Sequence, residues 1–194
     1  MSRWQTHSPV KHLLFASFCS VFLSCSNEHG QSSRIPSNYS IQRDPITISM
    51  DESGGGLTSG EWHLSVNSAG EAQLTIRSQP TNQSLEFRVA PDEFEELRRL
   101  LASERFFELN DDYGEIVPDG GTQSITIVAG DHAHTVRLHF LMNWVHQDPA
   151  RLVEPARAVR VGMLIRGWFQ NEGAVDTRKY DQMVLDAAEK LVPK

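Results

Sequence analysis

Beyond Ser26 the chain has no cysteine: Cys19 and Cys25 are its only two. A disulfide framework, a thiolate metal site and a cysteine nucleophile are therefore excluded from the larger part of the protein, which must be held together by its core alone. No apolar run is long enough to cross a bilayer as a helix. The apolar run of the leading segment, Leu13 to Leu23, has eleven residues and no charge, against the about 20 that a spanning helix needs. Basic clusters are missing too. The formal charge is −7, and phosphate neutralisation needs clustered Lys and Arg, so nucleic acid is excluded as a partner. No Gly-x-Ser-x-Gly elbow marks a serine nucleophile. Ser53-Gly54-Gly55-Gly56 has neither a following Lys-Ser or Lys-Thr nor a helix after it, so it is not a phosphate loop. No internal repeat is visible. No catalytic constellation can be assigned, which leans the reading away from an enzyme.

The leading segment carries the most specific signal. Arg3 and Lys11 precede the apolar run, the order of a secretory signal with its cationic flank. Its end, Phe22-Leu23-Ser24-Cys25, resembles the bacterial lipobox, in which a small residue precedes an invariant cysteine. The resemblance implies that the Cys25 thiol carries diacylglycerol, that residues 1–24 are removed, and that the new amine is acylated. Each buried CH₂ contributes about 0.8 kcal/mol, so two or three acyl chains hold a protein at a membrane almost permanently. Ser26, rather than Asp, follows the cysteine, which favours the outer membrane in a Gram-negative cell. Cleavage at a small-residue site to give a secreted protein is the other reading. Losing residues 1–24 removes Arg3 and Lys11 and no acid, so the charge moves from −7 to −9.

Residues 25–44 are rich in Ser, Asn and Gln without apolar periodicity, the composition of a flexible tether reaching on the order of 25 Å. The 150 residues from Pro45 to Lys194 suit one domain. Period-two apolar runs mark strands at Ile46/Ile48/Met50, Trp62/Leu64/Val66, Ala72/Leu74/Ile76 and Leu85/Phe87/Val89. Asn67-Ser68-Ala69-Gly70 is a hairpin turn between two of them. Pro91-Asp92-Glu93 opens a helix with Phe94, Leu97, Leu100 and Leu101 on one face. Two more strands follow, with Ile125/Ile127 and Val136/Leu138/Phe140, turning at Gly130-Asp131. The last third is helical: Val159, Met163, Ile165, Trp168 and Phe169 share one pattern that Gly173 ends. A final helix begins near Asp176 or Thr177. The order predicts an α+β fold: a curved antiparallel sheet with one helix after the fourth strand and two C-terminal helices packed on one face.

The stretch APDEFEELRRLLASERFFELNDDYG and the hairpin QSITIVAGDHAHTV resemble small exported domains of bacterial lipoproteins, whose function is unknown. Phe94, Leu97, Leu101, Phe106, Phe107, Leu109 and Tyr113 occupy their recurring theme. The resemblance spans roughly residues 46–140 and implies the same fold and location, without supplying an activity.

His132 and His134 point to one face of a strand, a spacing that presents two imidazoles to one Zn²⁺. A third ligand would come from Asp111, Asp112 or Asp119, giving a metal-assisted hydrolase. Packing of these histidines beside a turn is the simpler reading, and His139 belongs to the opposite strand face. The loop Asn110–Asp119 offers oxygen ligands to Ca²⁺ but lacks EF-hand spacing, and such residues also serve turns. Trp144, in an apolar loop segment, and Arg157 with Arg160, one helical turn apart, are the remaining binding candidates; core packing and a solvated helix face are the alternatives. Together these features predict an envelope protein, membrane-held through its lipid, that binds or structurally associates with an envelope partner. An inhibitor or accessory subunit of an envelope enzyme fits the same features.

Overall fold

Alternation of apolar and polar residues builds a seven-stranded sheet. The structure is a computed structural model that describes residues 41, 43–53, 61–78, 81–118, 120–169 and 178–191. The strands are β1 (Ile46–Ser53), β2 (Glu61–Val66), β3 (Glu71–Ser78), β4 (Thr81–Arg88), β5 (Asp112–Tyr113), β6 (Thr122–Ala129) and β7 (His132–Leu138). Their order across the sheet is β4-β3-β2-β1-β6-β7-β5. Every pairing is antiparallel except the two-residue contact of β5 with β7. The α+β architecture expected from the sequence is the one found.

Register places the apolar sets of five strands on one face. Met50 pairs with Leu64 on one side and Ile125 on the other; Leu74 and Val136 continue the row. All five side chains are fully buried. The β2–β3 turn is set by Asn67, whose Oδ1 accepts the N–H groups of Ala69 and Glu71 at 2.9 and 3.0 Å. Gly70 sits there at φ +80°, where a Cβ would lie 2.8 Å from the Val89 carbonyl oxygen. Only glycine fits without strain.

Among the described residues, the α-helices α1 (Pro91–Ser103), α2 (Met142–Gln147), α3 (Pro155–Gly167) and α4 (Arg178–Glu189) supply the second layer. In α1, Pro91 takes a first-turn position that needs no N–H, and the Glu93 carboxylate accepts the Ala90 N–H at 2.8 Å. Phe94, Leu97 and Leu101 are its buried stripe. α3 meets the sheet at Gly162, and Ala156 and Ala158 are buried along with it. A Cβ on Gly162 would stand 2.9 Å from Gln123 Oε1 and 3.1 Å from Ile125 Cδ1. Trp62 and Phe169 meet edge-to-face at 5.1 Å, tying the end of α3 to β2.

The structure adds three things to the sequence reading. Residues 142–147, read as loop, form a short helix, and residues 112–113 form the short parallel strand. The domain also begins before Pro45. Ile41 is buried, and Arg98 Nη1 donates to the carbonyls of Ile41 and Asp44 at 2.6 and 2.9 Å. Cys25, most of the tether, Gly54–Gly56, Asp119, Gly173 and the expected helix start at Asp176 or Thr177 lie outside the described residues. Among the described residues no helix is long and apolar enough to cross a membrane.

Candidate functional site: the open face of the sheet

With the apolar set turned toward the helices, period two sends the alternate residues to the opposite face. Among the described residues no helix covers it. Its middle row reads Gln73, Ser65, Ser49, Thr126 and Thr135 across β3-β2-β1-β6-β7. Thr126 and Thr135 hydrogen-bond at 2.9 Å. The next row reads His63, Asp51, Ser124, Arg137 and Asp112. His63 Nδ1 lies 2.6 Å from Asp51 Oδ1. Arg137 Nη1 donates to both oxygens of Asp112 at 3.2 Å. The described part of this face carries no Trp, Tyr or Phe, so it offers no stacking platform; it offers hydroxyls, amides and paired charges. Toward β4 it forms an open concavity of about 910 Å³, lined in part by Ser65, Gln73, Glu71, Glu86 and Arg88.

One cluster on this face deserves a chemical reading. Thr122 Oγ1 is 3.1 Å from His139 Nδ1, and His139 Nε2 is 3.3 Å from Asp112 Oδ1. Hydroxyl, imidazole and carboxylate stand in the order that activates a nucleophile. Arg137 shares the carboxylate, however, and its hydrogen bond, reinforced by that from His139, holds the Asp112 carboxyl below the usual range. A carboxylate so neutralised is a weak support for an imidazolium. The cluster is better suited to presenting fixed donors and acceptors. Sequence reading missed it because Thr122, His139 and Asp112 come from separate segments, and no local spacing announces their meeting.

The residues nominated for metal do not assemble around one point. His132 and His134 do share a face, as expected, but it is the covered one. His134 packs edge-on against Phe106 at 5.6 Å and beside Phe107 at 6.2 Å. Asp111 Oδ1 is 3.8 Å from His134 Nδ1, while Asp112 belongs to the Arg137 pair. Among the described residues no group of three or more His, Cys, Asp or Glu is placed to hold a metal ion. The Asn110 loop is braced internally: Asn110 N–H donates to Tyr113 Oη at 2.7 Å, and Arg137 N–H donates to the Asp111 carbonyl at 2.7 Å.

The binding candidates on the helices are occupied by packing. Trp144 is buried in α2, donates Nε1–H to Glu115 Oε1 at 3.2 Å, and lies under the Arg151 guanidinium, 3.8 Å from the ring centre. Arg157 donates to the Glu104 carbonyl, and Arg160 Nη1 meets Glu104 Oε2 at 3.1 Å. Both arginines therefore fasten α3 to the end of α1. Arg166 is deeper. Its side chain is 5% exposed and lies between Glu52 and Asp181, themselves 15% and 14% exposed.

Burial pushes the His134 imidazole below its ordinary pKa, against the weaker pull of Asp111. The unfolded chain then binds a proton that the folded chain refuses. The stability linked to His134 is present above the unfolded pKa of about 6.5 and lost as pH falls below it. Glu52 has the opposite sign: burial raises it despite Arg166, so its linked contribution is present below about 4.5 and lost as pH rises through the folded value. Urea unfolding at pH 7 and pH 5.5, compared with a variant that lacks the imidazole, separates the histidine from Glu52. The unaltered protein is expected to lose stability between these values, and His134→Leu to lose measurably less. An identical loss in both would remove His134 as the cause.

The chain matches no family model, and no curated protein is significantly similar to it.

Proposed function

We propose that this chain is a lipid-anchored cell-envelope protein whose folded domain is a non-catalytic binding module. The single observation that carries the binding half is the sheet with one face buried under helices and the other left open, polar and ordered in rows. The hydroxyl row and the Asp51–His63 and Asp112–Arg137 pairs match the polar surface of a protein partner, which needs about 800 Å² per side in a stable complex. Acidity argues against nucleic acid, and the lack of Trp, Tyr and Phe on the described part of this face argues against sugar rings. The anchoring half rests on Phe22-Leu23-Ser24-Cys25 after its apolar run. The partner is an envelope protein, and the module is its accessory subunit, its inhibitor or a structural contact.

Two measurements test this. Mass spectrometry of the natural N-terminus is expected to find Cys25 first and carrying acyl mass; an unmodified Cys25, or retention of residues 1–24, contradicts the anchor. A pull-down from solubilised envelope is expected to recover one recurring protein. That recovery should survive His132→Ala with His134→Ala and fail with Ser49→Arg plus Thr126→Arg. Recovery unaffected by the arginines contradicts the open face as the contact.

A further inference from the structure

We propose that β4 is a self-association edge: two copies of this chain pair their β4 strands antiparallel about a two-fold axis through Phe87, joining two seven-stranded sheets into one. The backbone supplies the first argument. Val89 N–H donates to the Gly70 carbonyl at 2.9 Å, continuing the uninterrupted β3–β4 register. By the two-residue period, odd positions of β4 bond β3, and Asn82, Ser84, Glu86 and Arg88 turn their N–H and C=O groups to the free edge. Among the described residues nothing pairs with them.

Proteins blunt such edges with prolines, lysines, bulges or very short strands. β4 has eight residues, no Pro, no Lys and no break in register. The opposite edge, β5, has two residues and follows the short-strand rule. The long edge has Glu86 and Arg88 as its only charges.

Charge selects the register and the second copy as occupant. With the axis through Phe87, Glu86 of each copy stands opposite Arg88 of the other, giving two opposite-charge cross-strand pairs on the open face. With the axis one residue earlier, Glu86 would oppose itself. On the covered face Phe87, half-buried in one copy, meets its symmetry mate in a close, non-hydrogen-bonded pair. Glu86 and Arg88 are exposed, and Arg88 Nη2 donates to the Ala69 carbonyl at 3.2 Å within its own copy. With this axis Ser84 falls opposite Ala90, whose N–H and C=O are held by Glu93 and by the Phe94 N–H where α1 begins, so the pairing is confined to Leu85–Val89 of each copy. Beyond it α1 runs toward the start of β1, with Phe94 near Gly70 and Arg98 reaching Ile41 and Asp44.

Non-hydrogen-bonded antiparallel pairs hold Cα atoms about 4.5 Å apart, within disulfide reach. The test uses the full chain with Cys19→Ser and Cys25→Ser, so that one introduced thiol reports alone. Phe87→Cys is expected to form a reducible covalent dimer under mild oxidation, and Ser65→Cys, on the open face of an inner strand, is expected not to. Sedimentation of the chain with Phe87 intact supplies the measurement free of that substitution. Glu86→Arg or Arg88→Glu alone should weaken its dimer about tenfold, as like charges replace both opposite-charge pairs, and the two together should restore it. A sedimenting monomer at every concentration reached, cross-linking at Phe87→Cys no faster than at Ser65→Cys, or a double variant as weak as either single one overturns the proposal.

Discussion

Arg166→Ala is expected to destabilise the fold by about 3–5 kcal/mol, the cost of leaving buried charges uncompensated. Total stabilities of single domains are about 5–15 kcal/mol, so the loss would be a large part of the whole. The cause is geometric. Arg166, at the end of α3, is the cation between Glu52 at the end of β1 and Asp181 in the first turn of α4. Removing it takes the shared cation from two mostly buried carboxylates. Gln123, which stands by Glu52, cannot neutralise either. The expectation is specific to charge: Arg166→Met combined with Glu52→Gln and Asp181→Asn should be far less costly than Arg166→Ala, because the ions leave together. Urea unfolding of the two variants checks this. Equal losses would show that Arg166 matters through its packing alone.

Phe106→Ala should cost a similar amount, about 3–5 kcal/mol, by the usual price of a cavity left in a packed core. Phe106 is fully buried and meets both Phe107, at 5.8 Å edge-to-face, and His134. The same substitution should change the pH response. Burial is what lowers the His134 pKa, so opening a cavity beside the imidazole lets water reach it and lets it hold a proton in the folded state. The stability lost between pH 7 and pH 5.5 should therefore shrink in Phe106→Ala, as in His134→Leu. Unfolding curves at both pH values read the two effects together. A smaller cost with an unchanged pH response would place the burial of His134 elsewhere.

Much of this fold is legible in the sequence because period two is a local signal. The four early strands, the Pro91 helix and the last two strands each carry their apolar alternation or their helical stripe within a few residues. The missed elements lack such a signal. Met142–Gln147 is a helix of six residues, too short for a periodicity to emerge. Asp112–Tyr113 becomes a strand only because β7 lies beside it. The candidate site was less legible still. His132 and His134 stand out in a sequence, yet β-pairing turns them toward the core. The open-face pairs Asp51–His63 and Asp112–Arg137 are separated by 12 and 25 positions, and only the sheet register brings them together. Arg157 and Arg160 were visible as neighbours, but their shared acceptor, Glu104, lies on another helix.

The claim that the polar side of the sheet is the working surface is tested most directly by cross-linking in the living cell. A photoreactive phenylalanine analogue replaces Thr126 on the open face, or Glu96 on the exposed side of α1. The account predicts that illumination joins one recurring envelope protein to the Thr126 position and not to the Glu96 position. The same protein captured from Glu96, with nothing captured from Thr126, would contradict it.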